Sequence, residues 1–185
     1  MTDDPRGPGD DALEDAALIR RWREGDQRAA TELVARHAPA LARFAANLGA
    51  RDEVEELVQD TFVRAFGSLD AFRGESSLRT WLFTIERRLL LDRRRSERRR
   101  RDQEGLDRHD PATEYDALDA VVAEETERRV REAVERLTRM QKEGFTLRVT
   151  EGLSYKEIAE IVGSTEGAAR VHYHNAMRAV KEFLR

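Results

Sequence analysis

The sequence predicts an all-α protein made of two small helical domains joined by an acidic linker. Apolar residues recur at three- and four-residue steps along most of the chain, which is the spacing of one buried helical face. The 185 residues include only 11 Gly and 4 Pro, which are too few turn residues for a β-sandwich of many short strands. Charged residues make up 38% of the chain, which indicates long polar helix surfaces.

Composition excludes several classes of protein. The absence of cysteine excludes disulfides, thiolate zinc sites and cysteine nucleophiles. No run approaches 18 uninterrupted apolar residues, and the first fifteen residues are acidic where a secretory signal would be basic and then apolar. We therefore expect a cytoplasmic protein without membrane insertion.

Charge is distributed in blocks that the formal net charge of −4 conceals. Residues 1–86 hold 11 basic and 17 acidic side chains, and residues 87–101 hold 9 and 2. Residues 102–127 hold 1 basic and 10 acidic side chains, and residues 128–185 hold 12 basic and 8 acidic side chains. Two basic surfaces, separated by an acidic segment, could each bind phosphate although the whole chain is mildly acidic.

Four helices are predicted in the first domain, residues 10–101, after a disordered tail at residues 1–9 that contains almost nothing apolar. The first helix begins near Asp10 and ends at Gly25-Asp26, and the second ends before Gly49. The third runs from about Asp52 to Phe66, and residues 67–77 form a loop. The fourth begins near Ser77 and continues into an arginine run.

An acidic stretch with few large apolar residues follows and is predicted as a linker, residues 102–124. The second domain, residues 125–185, regains helical periodicity. Gly144 lies inside its apolar pattern, at a cost of about 1 kcal/mol against Ala. We therefore expect a helix break or a close packing contact at Gly144.

The C-terminal segment has the pattern of a helix-turn-helix. Ser154 and Glu157 form a capping box that starts a helix, Gly163 permits a sharp turn, and Ser164 or Thr165 can cap the next helix. The second helix is predicted to bury Ala169, Tyr173, Ala176, Met177, Val180 and Phe183. Its outer side carries Val171 and five side chains whose donors suit phosphates and base edges: Arg170, His172, His174, Asn175 and Arg178.

Two other interpretations of this segment compete with DNA binding. It could be a helical hairpin with a polar solvent face. A zinc site at His172 and His174 is disfavoured, because residues i and i+2 of a helix point to different faces.

Nine arginines lie between Arg87 and Arg101, directly after an apolar helix that contains Trp81. On a continuous helix they cover several faces, so they should bind phosphate without strong sequence preference. Phe72, Trp81 and Phe83 lie around the loop at residues 72–77, and aromatic groups beside cations suit unstacked bases. The competing interpretation is a solvated helix end, with the aromatic residues in the core.

Residues 53–60, EVEELVQD, form an acidic helix face that cannot contact DNA. A cluster of catalytic or metal-binding carboxylates is one interpretation. No histidine or cysteine accompanies the carboxylates, however, and the apolar period is intact. A protein interface is therefore the better interpretation.

The helix at residues 52–66, followed by FRGESSLRTWLFTIERRLLLDRRR at residues 72–95, resembles region 2 of the sigma-70 family of bacterial RNA polymerase sigma factors. Residues 151–184, EGLSYKEIAEIVGSTEGAARVHYHNAMRAVKEFL, resemble region 4. The two blocks, their order and the linker are similar to the extracytoplasmic-function (ECF) group, over roughly residues 11–101 and 125–185. The resemblance implies a non-catalytic initiation factor, without cofactor or metal, that binds core RNA polymerase, delivers it to a promoter and helps trap the opened strand.

The resemblance also implies roles by position. The polymerase would be bound at its β′ clamp helices and its β flap. The residues that would bind the clamp helices are Glu55, Glu56, Leu57, Gln59, Asp60 and Phe62. Capture of the melted -10 element, with a base flipped into a loop pocket, would involve Phe72, Arg73, Gly74, Ser76, Ser77, Trp81, Arg87 and Arg88. Flanking phosphates would be held by Arg93, Arg94, Arg95 and Arg98. The -35 element would be read by Lys156, Ser164, Thr165, Arg170, His172, His174, Asn175 and Arg178.

Some positions depart from the family pattern, so the promoter sequence that this chain recognises cannot be inferred from the family. Arg88 stands where many members have Asn, Thr138 occupies a common Pro position, and residues 168–172, AARVH, replace the common Thr-Val-Lys-Ser-Arg.

Because no sensor segment is expected after Arg185, we expect control by a separate anti-sigma factor. Two other classes compete: a stand-alone helix-turn-helix regulator, which leaves the acidic helix and the arginines unexplained, and a nucleic-acid enzyme, which would need a phosphate loop or an activated nucleophile.

Overall fold

The computed structural model describes residues 8–104 and 123–185, and every regular element in these two stretches is helical. The described residues form α1 (Pro8–Arg23), α2 (Gln27–Asn47), α3 (Val54–Gly67), α4 (Leu78–Glu104), α5 (Ala123–Glu135), α6 (Arg139–Phe145), α7 (Tyr155–Val162) and α8 (Glu166–Leu184). The chain divides into two compact units between Leu89 and Leu90, inside α4. The prediction of an all-α protein is confirmed.

A tight turn joins α1 to α2. Gly25 has φ +95°, a left-handed conformation that favours glycine, and Asp26 caps α2 by accepting a hydrogen bond from the Arg28 N–H at 3.0 Å. The Arg21 Nη2 donates to Asp26 Oδ2 at 2.7 Å and to Glu32 Oε1 at 3.0 Å. Hydrogen bonds from the Arg21 guanidinium and from the Arg28 N–H hold the pKa of Asp26 below its ordinary value.

The core of the first unit is built on the inner face of α2, which packs against α1 and α3. Leu33, Leu41 and Phe44 of α2 are buried, as the apolar spacing predicted. The ring of Phe44 meets Phe83 of α4 edge-on, with 5.2 Å between centroids. These contacts fix the positions of α3 and α4, which carry the candidate binding surfaces of this unit.

In the second unit α8 is the central helix, in contact with α5, α6 and α7. Ala176 and Val180 of α8 pack in one buried cluster with Ala133 of α5 and with Leu137, which lies just after α5, and Phe183 packs against this cluster. Because these three helices pack against α8, its exposed residues lie on one side among the described parts of the chain.

Gly144 of α6 lies where α6 crosses α8. A Cβ at this position would lie 3.8 Å from the Tyr173 nitrogen and 3.9 Å from the His172 Cβ. Directly after α6 the backbone changes to a π-helical turn at Thr146–Thr150. Both distances are ordinary van der Waals contacts, so the packing of α6 on α8 does not require glycine at this position. The expected break is present instead, because regular α-helical hydrogen bonding ends at Phe145.

Several predicted boundaries need correction. Helix α1 begins at Pro8, inside the predicted tail, because proline is well tolerated in the first turn of a helix; residues 1–7 lie outside the described residues. Both ends of the predicted linker 102–124 are helical, since Ala, Gln and Glu favour helix, and residues 105–122 lie outside the described residues. The first unit ends before Arg101, because the buried apolar positions of α4 end at Leu90.

Candidate protein-binding and nucleic-acid interfaces

The acidic side chains of α3 lie on an exposed helix face. Glu55, Glu56 and Gln59 are exposed, and Asp60 is half-buried. Glu55 and Glu56 lie in the first turn of α3, where the helix dipole favours negative charge. This exposed acidic face would repel phosphate, so a protein interface stays the prediction for it.

Two residues predicted for the same interface belong instead to the core. Leu57 is completely buried, and Phe62 is 6% exposed. Leu57 continues a buried i, i+4, i+8 stripe with Thr61 and Ala65, and the Phe62 ring lies 6.0 Å from that of Phe66. Their burial corrects the prediction that Leu57 and Phe62 touch a partner: they hold α3 in place.

Sequence reasoning missed Val63, which is 64% exposed. Val63 lies one helical turn beyond Gln59 and Asp60, so α3 presents an apolar group next to its acids. The signal was in the sequence, since Val63 falls off the buried stripe of α3 yet is large and apolar. We call Glu55, Glu56, Gln59, Asp60 and Val63 together the α3 interface.

The loop before α4 is held to that helix by an aromatic pair. The half-buried rings of Phe72 and Trp81 lie 5.1 Å apart, inclined at 42°. Arg73 and Gly74 are exposed, Gly74 with φ +72°, and Ser76 is half-buried. The structure thus pairs two of the predicted aromatic residues as partly exposed rings, with exposed Arg73 next to Phe72 in the chain, a combination on which a base can stack.

Two residues predicted to bind DNA near this loop have other roles. Ser77 Oγ accepts a hydrogen bond from the Thr80 N–H at 3.1 Å and donates to Thr80 Oγ1 at 2.9 Å, which caps the first turn of α4. Arg87 is 9% exposed, because it lies one turn from the buried Phe83 and Leu90, whereas Arg88 is exposed. The burial of Arg87 corrects its predicted DNA contact.

The arginine-rich half of α4 is a continuous helix. Arg93 and Arg94 are half-buried, and Arg95 and the run Arg98–Arg101 are exposed. At about 100° per residue, four consecutive arginines spread over about 300° of the helix circumference. The arginines therefore cover several faces, which suits phosphate binding and not the reading of one set of base edges.

Helices α7 and α8 form the predicted helix-turn-helix. The Ser154 N–H donates to Glu157 Oε2 at 2.8 Å, and Ser154 Oγ accepts from the Glu157 N–H at 3.3 Å, which confirms the capping box. Gly163, with φ +70°, ends α7, and Thr165 Oγ1 accepts from the Ala168 N–H at 3.2 Å to begin α8. Of the other predicted contacts here, Lys156 is exposed and Ser164 is half-buried.

The free side of α8 carries most of the predicted side chains. Arg170, His174 and Arg178 are exposed, and half-buried Asn175 accepts a hydrogen bond from Arg178 Nη2 at 3.4 Å. His172 is half-buried with its Cβ on the side of α6, near Gly144, so its predicted outward position is corrected. Val171 is 57% exposed on this side.

Sequence reasoning treated Tyr155 only as part of the capping box, and missed its role as the centre of a cation and aromatic cluster. The Cζ atoms of Arg148 and Arg170 lie 5.0 Å and 5.1 Å from the centroid of its ring. The Tyr173 ring lies 5.8 Å from it. Arg170 Nη2 also donates to Glu166 Oε1 at 3.2 Å, so the guanidinium of Arg170 is held on one side of α8.

Residues 8–104 and 123–185 contain no group of three His, Cys, Asp or Glu side chains placed to hold a metal ion. His172 and His174 lie on different sides of α8, as their spacing predicted. None of the helices in the described part of the chain has the length and apolarity to cross a membrane.

Comparison with protein families matches two blocks of the chain. Residues 33–100 match the model of sigma-70 region 2, and residues 127–180 match the model of sigma-70 region 4. The chain is 30% identical over 178 residues to the ECF RNA polymerase sigma-E factor of Haemophilus influenzae, covering 91% of this chain and 94% of that protein. It is 28% identical over 186 residues to the ECF RNA polymerase sigma-E factor of Escherichia coli K12, covering 91% and 93%.

Two solved structures of similar proteins share the fold. The sigma factor RpoE, in complex with the anti-sigma factor NepR from Bartonella quintana, has a TM-score of 0.68 at 30% identity, covering 83% of this chain and 95% of that one. CnrH, in complex with the cytosolic domain of CnrY, has a TM-score of 0.63 at 28% identity, covering 94% and 96%.

Proposed function

The chain belongs to the ECF group of the sigma-70 family of RNA polymerase sigma factors, and from this premise we propose which of its surfaces bind polymerase and which bind promoter DNA. It is an initiation factor and not an enzyme: it binds core RNA polymerase and directs it to promoters. A stand-alone helix-turn-helix regulator is not favoured, because a regulator of that kind would use α7 and α8 but would have no need of the region 2 block.

The α3 interface is the surface that we assign to core polymerase, at the β′ clamp helices. Its support is the exposed acids Glu55 and Glu56, with exposed Gln59 and half-buried Asp60, next to the exposed apolar Val63. An apolar group flanked by charge gives both burial and orientation in a protein interface. DNA is unsuited to this surface, because its phosphates would be repelled.

The loop at residues 72–76 and the exposed arginines of α4 are the surface that we assign to the opened -10 element. The Phe72 and Trp81 rings offer a stacking platform, and Arg73 and Arg88 lie exposed near it in sequence. Arg93, Arg94, Arg95 and Arg98 would hold flanking phosphates. Binding through phosphates and stacking fits a single strand whose bases have left the duplex.

The free side of α8 is the surface that we assign to the -35 element, and it is the observation that carries the proposal. A helix-turn-helix with capped, well-defined helices leaves one side of its second helix exposed, with Arg170, His174 and Arg178 on it. In this motif the N-terminal residues of the second helix contact base edges in the major groove. We also assign Lys156, which is exposed at the start of α7, to the DNA phosphates.

Regulation by a separate protein is part of the same proposal. RpoE was solved with an anti-sigma factor and CnrH with a cytosolic domain of CnrY. We infer that an anti-sigma factor binds this chain too, and that both act in the cytoplasm, where polymerase works.

Assembly with core polymerase tests the assignment of the α3 interface. The double variant Gln59→Ala, Asp60→Arg reverses a charge on a largely exposed face, so the fold should keep its stability within about 0.5 kcal/mol. We expect it to lose in competition with the wild-type chain for core polymerase. Glu24→Arg, at another exposed position of the same unit, is the matched charge control and should compete normally.

Run-off transcription from a genomic library with the assembled holoenzyme tests the function as a whole. Unchanged affinity of the double variant would overturn the assignment of the α3 interface only. Failure of the wild-type chain to assemble with core polymerase, or to select any promoter, would overturn the proposed function.

A further inference from the structure

We propose that Val171 reads the 5-methyl group of a thymine in the -35 element. The proposal rests on the proposed function, because it requires the free side of α8 to lie in the major groove. Val171 lies in the second turn of α8 and is 57% exposed, more than half of its surface being open to solvent.

The chemistry of the side chain limits what it can contact. Valine has neither a donor nor an acceptor, so it can bind neither a phosphate nor the polar atoms of a base edge. The major groove presents one apolar group on its base edges, the 5-methyl of thymine. Among the described residues with large exposed apolar side chains, which are Leu13, Val63, Val149 and Val171, only Val171 lies on α8.

The surroundings of Val171 allow a base pair to come close. Gly167 and Ala168 lie one turn earlier on the helix, at i−4 and i−3, and a Cβ at Gly167 would meet nothing within 4 Å. Both side chains are small, so the first turn of α8 places little bulk between the helix and the floor of the groove. The residues that read bases in this motif are those of the N-terminal turns.

The neighbouring Arg170 does not cover Val171. Its guanidinium is held by Glu166 at 3.2 Å and over the Tyr155 ring at 5.1 Å. This leaves the methyl groups of Val171 exposed beside a cation. Arg170 and Val171 together suit two adjacent bases, one recognised through its polar edge and the other through its methyl group.

The test replaces each thymine of a selected -35 element by uracil, one at a time, which removes only the methyl group. The full chain is assembled with core polymerase, the element is first selected from a library randomised at -35, and binding is measured for each substituted promoter. We expect one uracil position to weaken binding by about fourfold, which corresponds to burial of one methyl-sized group at about 0.8 kcal/mol. Val171→Ala, which keeps the Cβ but loses both Cγ methyl groups, should show a smaller difference between the thymine and uracil forms of that position.

Val149→Ala is the matched control, since Val149 is similarly exposed (54%) but lies outside α8. It should keep the full uracil effect. A selected element without any thymine, the absence of a uracil effect in the wild-type chain, or a uracil effect of unchanged size in Val171→Ala would each overturn the proposal. These outcomes leave -35 selection itself intact, whereas loss of all -35 selection by the wild-type holoenzyme would overturn the proposed function.

Discussion

Replacing Gly144 by Ala should stabilise the second unit by about 1 kcal/mol. Glycine in a helix interior is less favourable than alanine by about 0.8–1.0 kcal/mol, and Gly144 lies in a helical run because α6 continues directly into the π-helical turn. The added methyl would lie 3.8 Å from the Tyr173 nitrogen and 3.9 Å from the His172 Cβ, which is ordinary van der Waals contact. No steric cost therefore offsets the gain.

The gain is measurable in the intact chain. For a domain of this size about 1 kcal/mol shifts the melting temperature by about 4–8 °C. Both tryptophans, Trp22 and Trp81, belong to the first unit, so their fluorescence follows that unit and serves as an internal control. Hydrogen exchange of the α6 and α8 amides follows the second unit and should slow in Gly144→Ala.

Faster or unchanged exchange would refute the reasoning, because it would mean that α8 lies too close for a methyl group. Gly144→Leu should instead destabilise the second unit, because the leucine atoms beyond Cβ must enter the space that α8 occupies. Overpacking of this kind costs about 1–3 kcal/mol. The same variant should weaken -35 binding, since it displaces the helix that carries the reading side chains.

Three further predictions concern charge. Replacing Arg98–Arg101 by Ser should weaken binding to all promoters alike and flatten its salt dependence by about 0.7–0.9 log units per lost phosphate contact, and a change in promoter choice would contradict phosphate binding. Arg170→Ala should cost about 1–3 kcal/mol and relax preference at one base pair, measured on single-base promoter variants; uniform weakening would instead make Arg170 a phosphate anchor. The lowered pKa of Asp26 means that its contribution to stability is present above the unfolded Asp pKa, near 3.9, and is lost as pH falls through the lower folded value. Acid unfolding followed by tryptophan fluorescence should therefore begin at higher pH in Arg21→Met, and an unchanged midpoint would contradict the assignment.

Local sequence signals predicted the helices well because helix starts and buried stripes depend on neighbours in the chain. The Ser154 and Glu157 capping box and the glycine at 163 define α7 and its turn without any tertiary contact. The apolar spacing of Leu33, Leu41 and Phe44 likewise defines the inner face of α2. The candidate surfaces followed from the same signals, since exposed charge collects on the opposite faces.

The identity of the contacting side chains was decided by tertiary structure. Arg87 lies among exposed charged residues in sequence, yet it is buried, because the packing of α4 against its neighbours selects which positions face the core. Tyr155 and Arg170 are fifteen residues apart and meet only because α7 packs on α8. Periodicity shows that a helix has two sides, but packing determines the width of the buried side and which residues at its edges remain exposed.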